Sequence, residues 1–123
     1  MKANELRIGN LLGSYNKGEE DRVLTINAQN ILVEAKANNQ GYTRYRPIPL
    51  TEEWLLRFGF EKNNNNQFIL IKGSVDILFN KDLNGWTCDG INFSINMTEH
   101  VHQLQNLYFA LTGEELTIGG HND

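Results

Sequence analysis

Cys88, His100, His102 and His121 are the residues best equipped to bind a metal or act as a nucleophile. A structural zinc site takes four ligands in recognisable pairs, and the only close pair here is His-x-His. On an ideal helix, residues two apart point about 200° away from each other. His100 and His102 therefore cannot share an ion unless the chain is extended there, and surface or capping roles fit them better. A Cys/His nucleophile pair is the second chemistry on offer. Cys88 falls in an expected strand beside Trp86, where a small buried thiol is ordinary. No nucleophile elbow surrounds it. Acids adjoin at Glu19-Glu20-Asp21, Glu52-Glu53 and Glu114-Glu115. General acid–base work needs carboxyls held in a cleft with separated pKa values, whereas adjacent acids in loops and at helix ends are solvated. No glycine-rich phosphate loop follows a strand, and there is no Walker-type lysine. The expectation is no catalytic, metal or cofactor residues, and no cofactor: not an enzyme.

The stretch GYTRYRP, residues 41–47, offers binding instead. In a strand, Tyr42, Arg44 and Arg46 share one face, and Thr43 and Tyr45 point the other way. Arginine binds phosphate and an aromatic ring stacks on an unpaired base. Arginine and tyrosine also favour protein interfaces, and arginine on an edge strand discourages aggregation. Charge leans the same way. Residues 1–50 hold seven Lys/Arg against five acids, a net +2, and residues 51–123 hold four against ten, a net −6. The whole chain is at −4, which argues against a protein built to coat nucleic acid.

The elements that must position these residues follow from patterning. The chain has 123 residues, 40 % of them hydrophobic, enough for one compact domain or two very small ones. Residues 1–50 read as short strands at 6–8, 23–26, 31–33 and 42–46, with polar turns at 27–30 and 38–41 and a loop at 13–21. That spacing suggests an SH3-like small barrel or curled sheet. Pro47 and Pro49 mark a seam. Thr51 then caps a short helix, Glu52 and Glu53 suit its positive end, and Gly59 ends it. Asn63, Asn64, Asn65 and Asn66 form a turn. A four-stranded antiparallel meander follows, punctuated by Gly73-Ser74, Asn84-Gly85 and Asp89-Gly90. Val101, Leu104, Leu107, Tyr108 and Leu111 make the stripe of a covering helix, with Thr98 at its start and Gly113 at its end. Phe109 lies off that stripe. Residues 117–123 read as a flexible tail.

With KANELRIGN at the start, PIPLTEEWLLRFGF in the middle and HVHQLQNLYFALTGEEL near the end, the chain resembles a family of small uncharacterised proteins. These are encoded in the genomes, prophages and mobile elements of anaerobic gut bacteria. The resemblance implies a cytoplasmic protein of phage or mobile-element origin. It carries no functional residues across.

The expected fold is α+β. An SH3-like subdomain at 1–50 is packed against a helix–meander–helix subdomain at 51–116, because Trp54, Leu55, Phe58 and Phe60 need partners. One cysteine excludes an intrachain disulfide and fits a reducing cytoplasm. No run approaches a signal peptide or the roughly 20 apolar residues of a membrane helix, so no membrane partner is expected. The leading function is a non-catalytic protein-binding module, with an exposed patch near Phe109 or Tyr45. The alternative is a nucleic-acid-binding accessory protein using Tyr42, Arg44 and Arg46. Exposed sheet edges also allow a homo-oligomer.

Overall fold

The computed structural model describes residues 1–14, 22–72, 75–82, 85–90, 93–96 and 99–118. The element order is a 3-10 turn Ala3–Glu5, β1 (Leu11–Ser14), β2 (Val23–Thr25), α1 (Ala28–Asn39), β3 (Tyr45–Arg46), α2 (Glu52–Arg57), β4 (Glu61–Lys62), β5 (Phe68–Lys72), β6 (Val75–Asp82), β7 (Gly85–Gly90), β8 (Phe93–Asn96) and α3 (Val101–Thr112). The fold is α+β, with two antiparallel sheets and no closed barrel among the described residues. The chain divides into two compact units. Met1–Pro49 with His100–Asn106 form the first, and Leu50–Glu99 with Leu107–Asp123 the second.

In the first unit a three-stranded sheet runs β2-β1-β3, with β1 central and antiparallel to both neighbours. The largest departure from the expected fold is α1. Residues 27–30 are a capping box, not a turn. The Asn27 side chain accepts from the Asn30 N–H, and the Asn30 side chain accepts from the Asn27 N–H, each at 2.9 Å. This reciprocal cap satisfies two free donors and nucleates a helix. Residues 31–33 are then helical despite their β-type composition, since Ala, Gln, Glu and Lys elsewhere in α1 favour a helix. The side turned inward carries Glu34 and Ala37, and Leu32 is exposed. Gly41, at φ +88°, closes the helix. Its N–H donates to Asn38 C=O, and the Tyr42 N–H donates to Ala37 C=O, the Schellman pattern. The strand expected over residues 42–46 shrinks to Tyr45–Arg46, because residues 42–44 are still leaving the helix. No strand forms at residues 6–8. The first strand is β1 instead.

The second unit holds a five-stranded sheet in the order β4-β5-β6-β7-β8, each strand antiparallel to the next. Thr51 caps α2 by accepting from the Trp54 N–H at 3.3 Å, and Gly59, at φ +98°, ends it with a second Schellman closure. The asparagine run joins the two-residue β4 to β5. Asn66 takes a positive φ of 60° there, a conformation asparagine tolerates. Pairing sets Phe68 opposite Phe79 and Leu70 opposite Ile77. Side chains alternate across a strand, so these four share the inner face. Phe68, Phe79 and Trp86 pack there as tilted and edge-on rings, with centroids 5.6 and 6.3 Å apart. The Trp86 indole N–H donates to Leu50 C=O at 2.9 Å, which satisfies its buried polar atom.

In α3, Val101, Leu104 and Tyr108 are buried, but Leu107 is only half-buried. The deepest stripe is therefore i, i+3, i+7, and Leu107 sits at its border. The Gly113 N–H donates to Phe109 C=O at 2.8 Å and closes the helix. The expected turns at Gly73-Ser74 and Asn84, the cap at Thr98, and most of the tail lie outside the described residues, as do most of the 13–21 loop and His121. No helix among the described residues is long and apolar enough to cross a membrane.

Candidate interaction site

Glu34 organises GYTRYRP. It is fully buried, and its carboxyl accepts from the Arg44 backbone N–H at 2.7 Å and from the Thr43 hydroxyl. A buried carboxyl needs such donors, and the turn after α1 delivers them. Arg46 is half-buried. Its Nε donates to Ser14 C=O at 3.1 Å, and its guanidinium lies where a side chain on Gly13 would collide with it, 2.9 Å from an ideal Cβ. The Tyr45 hydroxyl accepts from the Asn30 amide at 3.0 Å. Tyr42, at 49 % exposure, and Arg44 are left on the surface. The strip therefore does not present one face of three residues, since Arg46 is tied to β1. Phe109, 40 % exposed, belongs to the second unit.

His100 and His102 take up structural positions. His100 pairs with Pro49 in an isolated bridge, so the chain is extended there and the ideal-helix angle does not apply. The two imidazoles stack, with centroids 5.8 Å apart and planes at 16°. His102 is buried, with Nε2 3.4 Å from the Glu5 carboxylate and Nδ1 without a hydrogen-bond partner among the described residues. Burial pushes its pKa below the ordinary 6.5. The Glu5 hydrogen bond opposes this, and His100 and the N-terminal amine lower the value further. Among the described residues no group of three or more His, Cys, Asp or Glu is placed to hold a metal. Beside them, amides join α3 to the first residue of β1 and to the residues before it. Gln105 accepts from the Leu11 N–H at 2.8 Å and donates to Gly9 C=O at 3.2 Å, while Asn106 accepts from the Asn10 amide at 2.9 Å and donates to Glu5 C=O at 2.9 Å. The opening and closing blocks of the sequence, KANELRIGN and HVHQLQN, meet in this network.

The second unit carries an open concavity. A cleft of about 610 Å³ is floored by Phe58, Leu70, Tyr108 and Leu116. Glu61, Glu114 and Glu115 line it. An adjoining cleft of about 480 Å³ shares Gly59, Glu61, Leu70 and Ile71 with it, and adds Lys62, which pairs with Glu52 at 3.5 Å. Ile71 stands between them at 67 % exposure. Both clefts lie along the outer edge of β5. The short β4 pairs with Phe68 and Ile69, and among the described residues no strand covers Leu70, Ile71 and Lys72 on that side.

Sequence reasoning missed this place. Ile71 reads as one more apolar residue of a strand, and Glu114-Glu115 as a solvated helix end. The available signal was the strand Phe68-Ile-Leu-Ile71, apolar at every position although only one of its faces is needed for the core.

No family model matches this chain, and neither a curated protein nor a solved structure matches it significantly.

Proposed function

We propose that the chain is a non-catalytic protein-binding module that docks its partner at the clefts along the β5 edge. The observation that carries this reading is Ile71. A large apolar side chain, 67 % exposed, sits between two adjoining concavities on an unpaired strand edge. Exposed apolar surface inside a concavity is characteristic of interaction sites. The resemblance to proteins of phage and mobile elements supports an accessory role, and the lone cysteine supports a reducing cytoplasm. The nucleic-acid alternative has less to draw on. Arg46 is committed to Ser14, which leaves Arg44 and Tyr42 as a small footprint.

The test is capture from native lysate, with and without nuclease, by the wild-type chain and by Ile71→Arg. A protein retained after nuclease treatment and lost with Ile71→Arg is the expected result. Capture that depends on nucleic acid, or that ignores Ile71→Arg, overturns the reading.

A further inference from the structure

The edge of β5 has a defined hydrogen-bonding direction. In an antiparallel pair, the backbone groups of alternate residues point to alternate sides. The Asn63 N–H donates to Gln67 C=O at 2.9 Å, so Gln67 faces the β4 side. Ile69 and Ile71 then face the same side, and Phe68, Leu70 and Lys72 face β6. Ile69 is met there by Glu61. The position opposite Ile71 falls at Gly59, whose positive φ of +98° and donation to Leu56 C=O turn the chain away. The Ile71 N–H and C=O are thus offered outward, past the end of the sheet. Unpaired edges are normally blunted by charge, proline or cover. This one carries an exposed isoleucine.

We infer that the β5 edge at Ile71 accepts an extended, basic segment of a partner protein as an added strand. The inference rests on the binding-module reading and specifies its chemistry. The backbone of the incoming segment bonds Ile71, in the strand-addition mode of peptide recognition. Its side chains alternate between the two faces. Apolar ones fit the floor at Leu70, Tyr108 and Leu116, and a cationic one meets the carboxylate of Glu61. Charge also selects against a second copy of this chain. A two-fold pairing of β5 edges brings Glu61 toward its own copy, and like charges oppose association. Residues 51–123 carry a net −6, which steers a basic partner toward this unit.

The probe is a fluorescein-labelled acetyl-(Lys-Val)3 amide, followed by fluorescence anisotropy against the full chain. Three comparisons accompany it: (Glu-Val)3, (Lys-Val)3 with alternate backbone nitrogens methylated, and the protein variants Glu61→Lys and Ile71→Pro. Proline is tolerated on an edge strand where the N–H faces outward, so Ile71→Pro removes the offered donor without touching the β6 ladder. Melting curves of both variants verify folding. The expected result is saturable binding of (Lys-Val)3 that weakens at least about tenfold with methylation, Glu61→Lys and Ile71→Pro, and no binding of (Glu-Val)3. Binding that survives methylation, or equal binding of the acidic peptide, overturns the inference, as does the absence of binding up to about 1 mM. If the peptide fails while capture from lysate still depends on Ile71, strand addition is wrong and the module reading stands. If both fail, both are wrong.

Discussion

Each unit is stabilised internally by a different chemistry. The first buries Asn10, Ser14, Glu34, His102 and Gln105 among a few aliphatic side chains, Leu11, Leu12, Ile26, Ala37, Val101 and Leu104. The second buries Trp54, Phe58, Phe60, Phe68, Phe79, Trp86 and Tyr108, and its aromatic rings contact one another. Apolar burial is non-directional and scales with area. Buried polar groups are directional, and they cost free energy when a partner is lost. The first unit should therefore be sensitive to the identity of its polar residues, and the second to the volume of its rings. The exposed β5 edge belongs to the ring-packed unit, whose aromatic core supports the strand without using its outer backbone groups.

The largest effect expected is in the aromatic core. Phe79→Ala should destabilise by about 3–5 kcal/mol, read by chemical denaturation, because the ring is fully buried. A loss under about 1 kcal/mol would break the contrast from the second unit's side. Next comes Glu34→Ala, which leaves the Arg44 N–H and the Thr43 hydroxyl without their acceptor. About 2–3 kcal/mol is expected. Glu34→Gln, which keeps one oxygen acceptor, should lose less.

Smaller still is the split between two neighbouring arginines. Arg46→Ala should cost about 1 kcal/mol through its bond to Ser14. Arg44→Ala should stay within about 0.5 kcal/mol, since the side chain is exposed. Equal effects would mean that the strip acts as one surface. The smallest effect concerns pH. The His102 pKa is lowered in the folded state, so the unfolded chain binds more protons between that value and 6.5. Stability is full above pH 6.5 and falls as pH drops through and below it. Melting temperature measured against pH should bend downward there, and His102→Leu should flatten the bend. An unchanged profile in the variant would assign the bend to another group.

Much of the second unit was legible because local rules and global packing agree there. Thr51 caps α2 and Gly59 closes it, as threonine and glycine do at such positions. Val75 to Phe79 alternate, and their register with β5 follows from a buried face. The first unit was less legible because its signals conflict. Residues 31–33 look like a strand, yet the capping box at Asn27 and Asn30 commits them to a helix whose inward face holds a carboxyl. Hydrophobic periodicity cannot find a helix that buries a glutamate. For the same reason GYTRYRP reads as a free strip until Glu34 and Ser14 are seen to hold it.

The sequence alone determined the α+β class, the cap and end of α2, the end of α3 at Gly113, and the division of charge, because each depends on residue type and spacing along the chain. Only the tertiary structure decided that Arg46 is tethered, that His102 is buried, and that β4 stops short of Ile71. Those outcomes depend on which backbone groups from distant parts of the chain reach one another, and β4 stops where Gly59 turns the chain away from the edge.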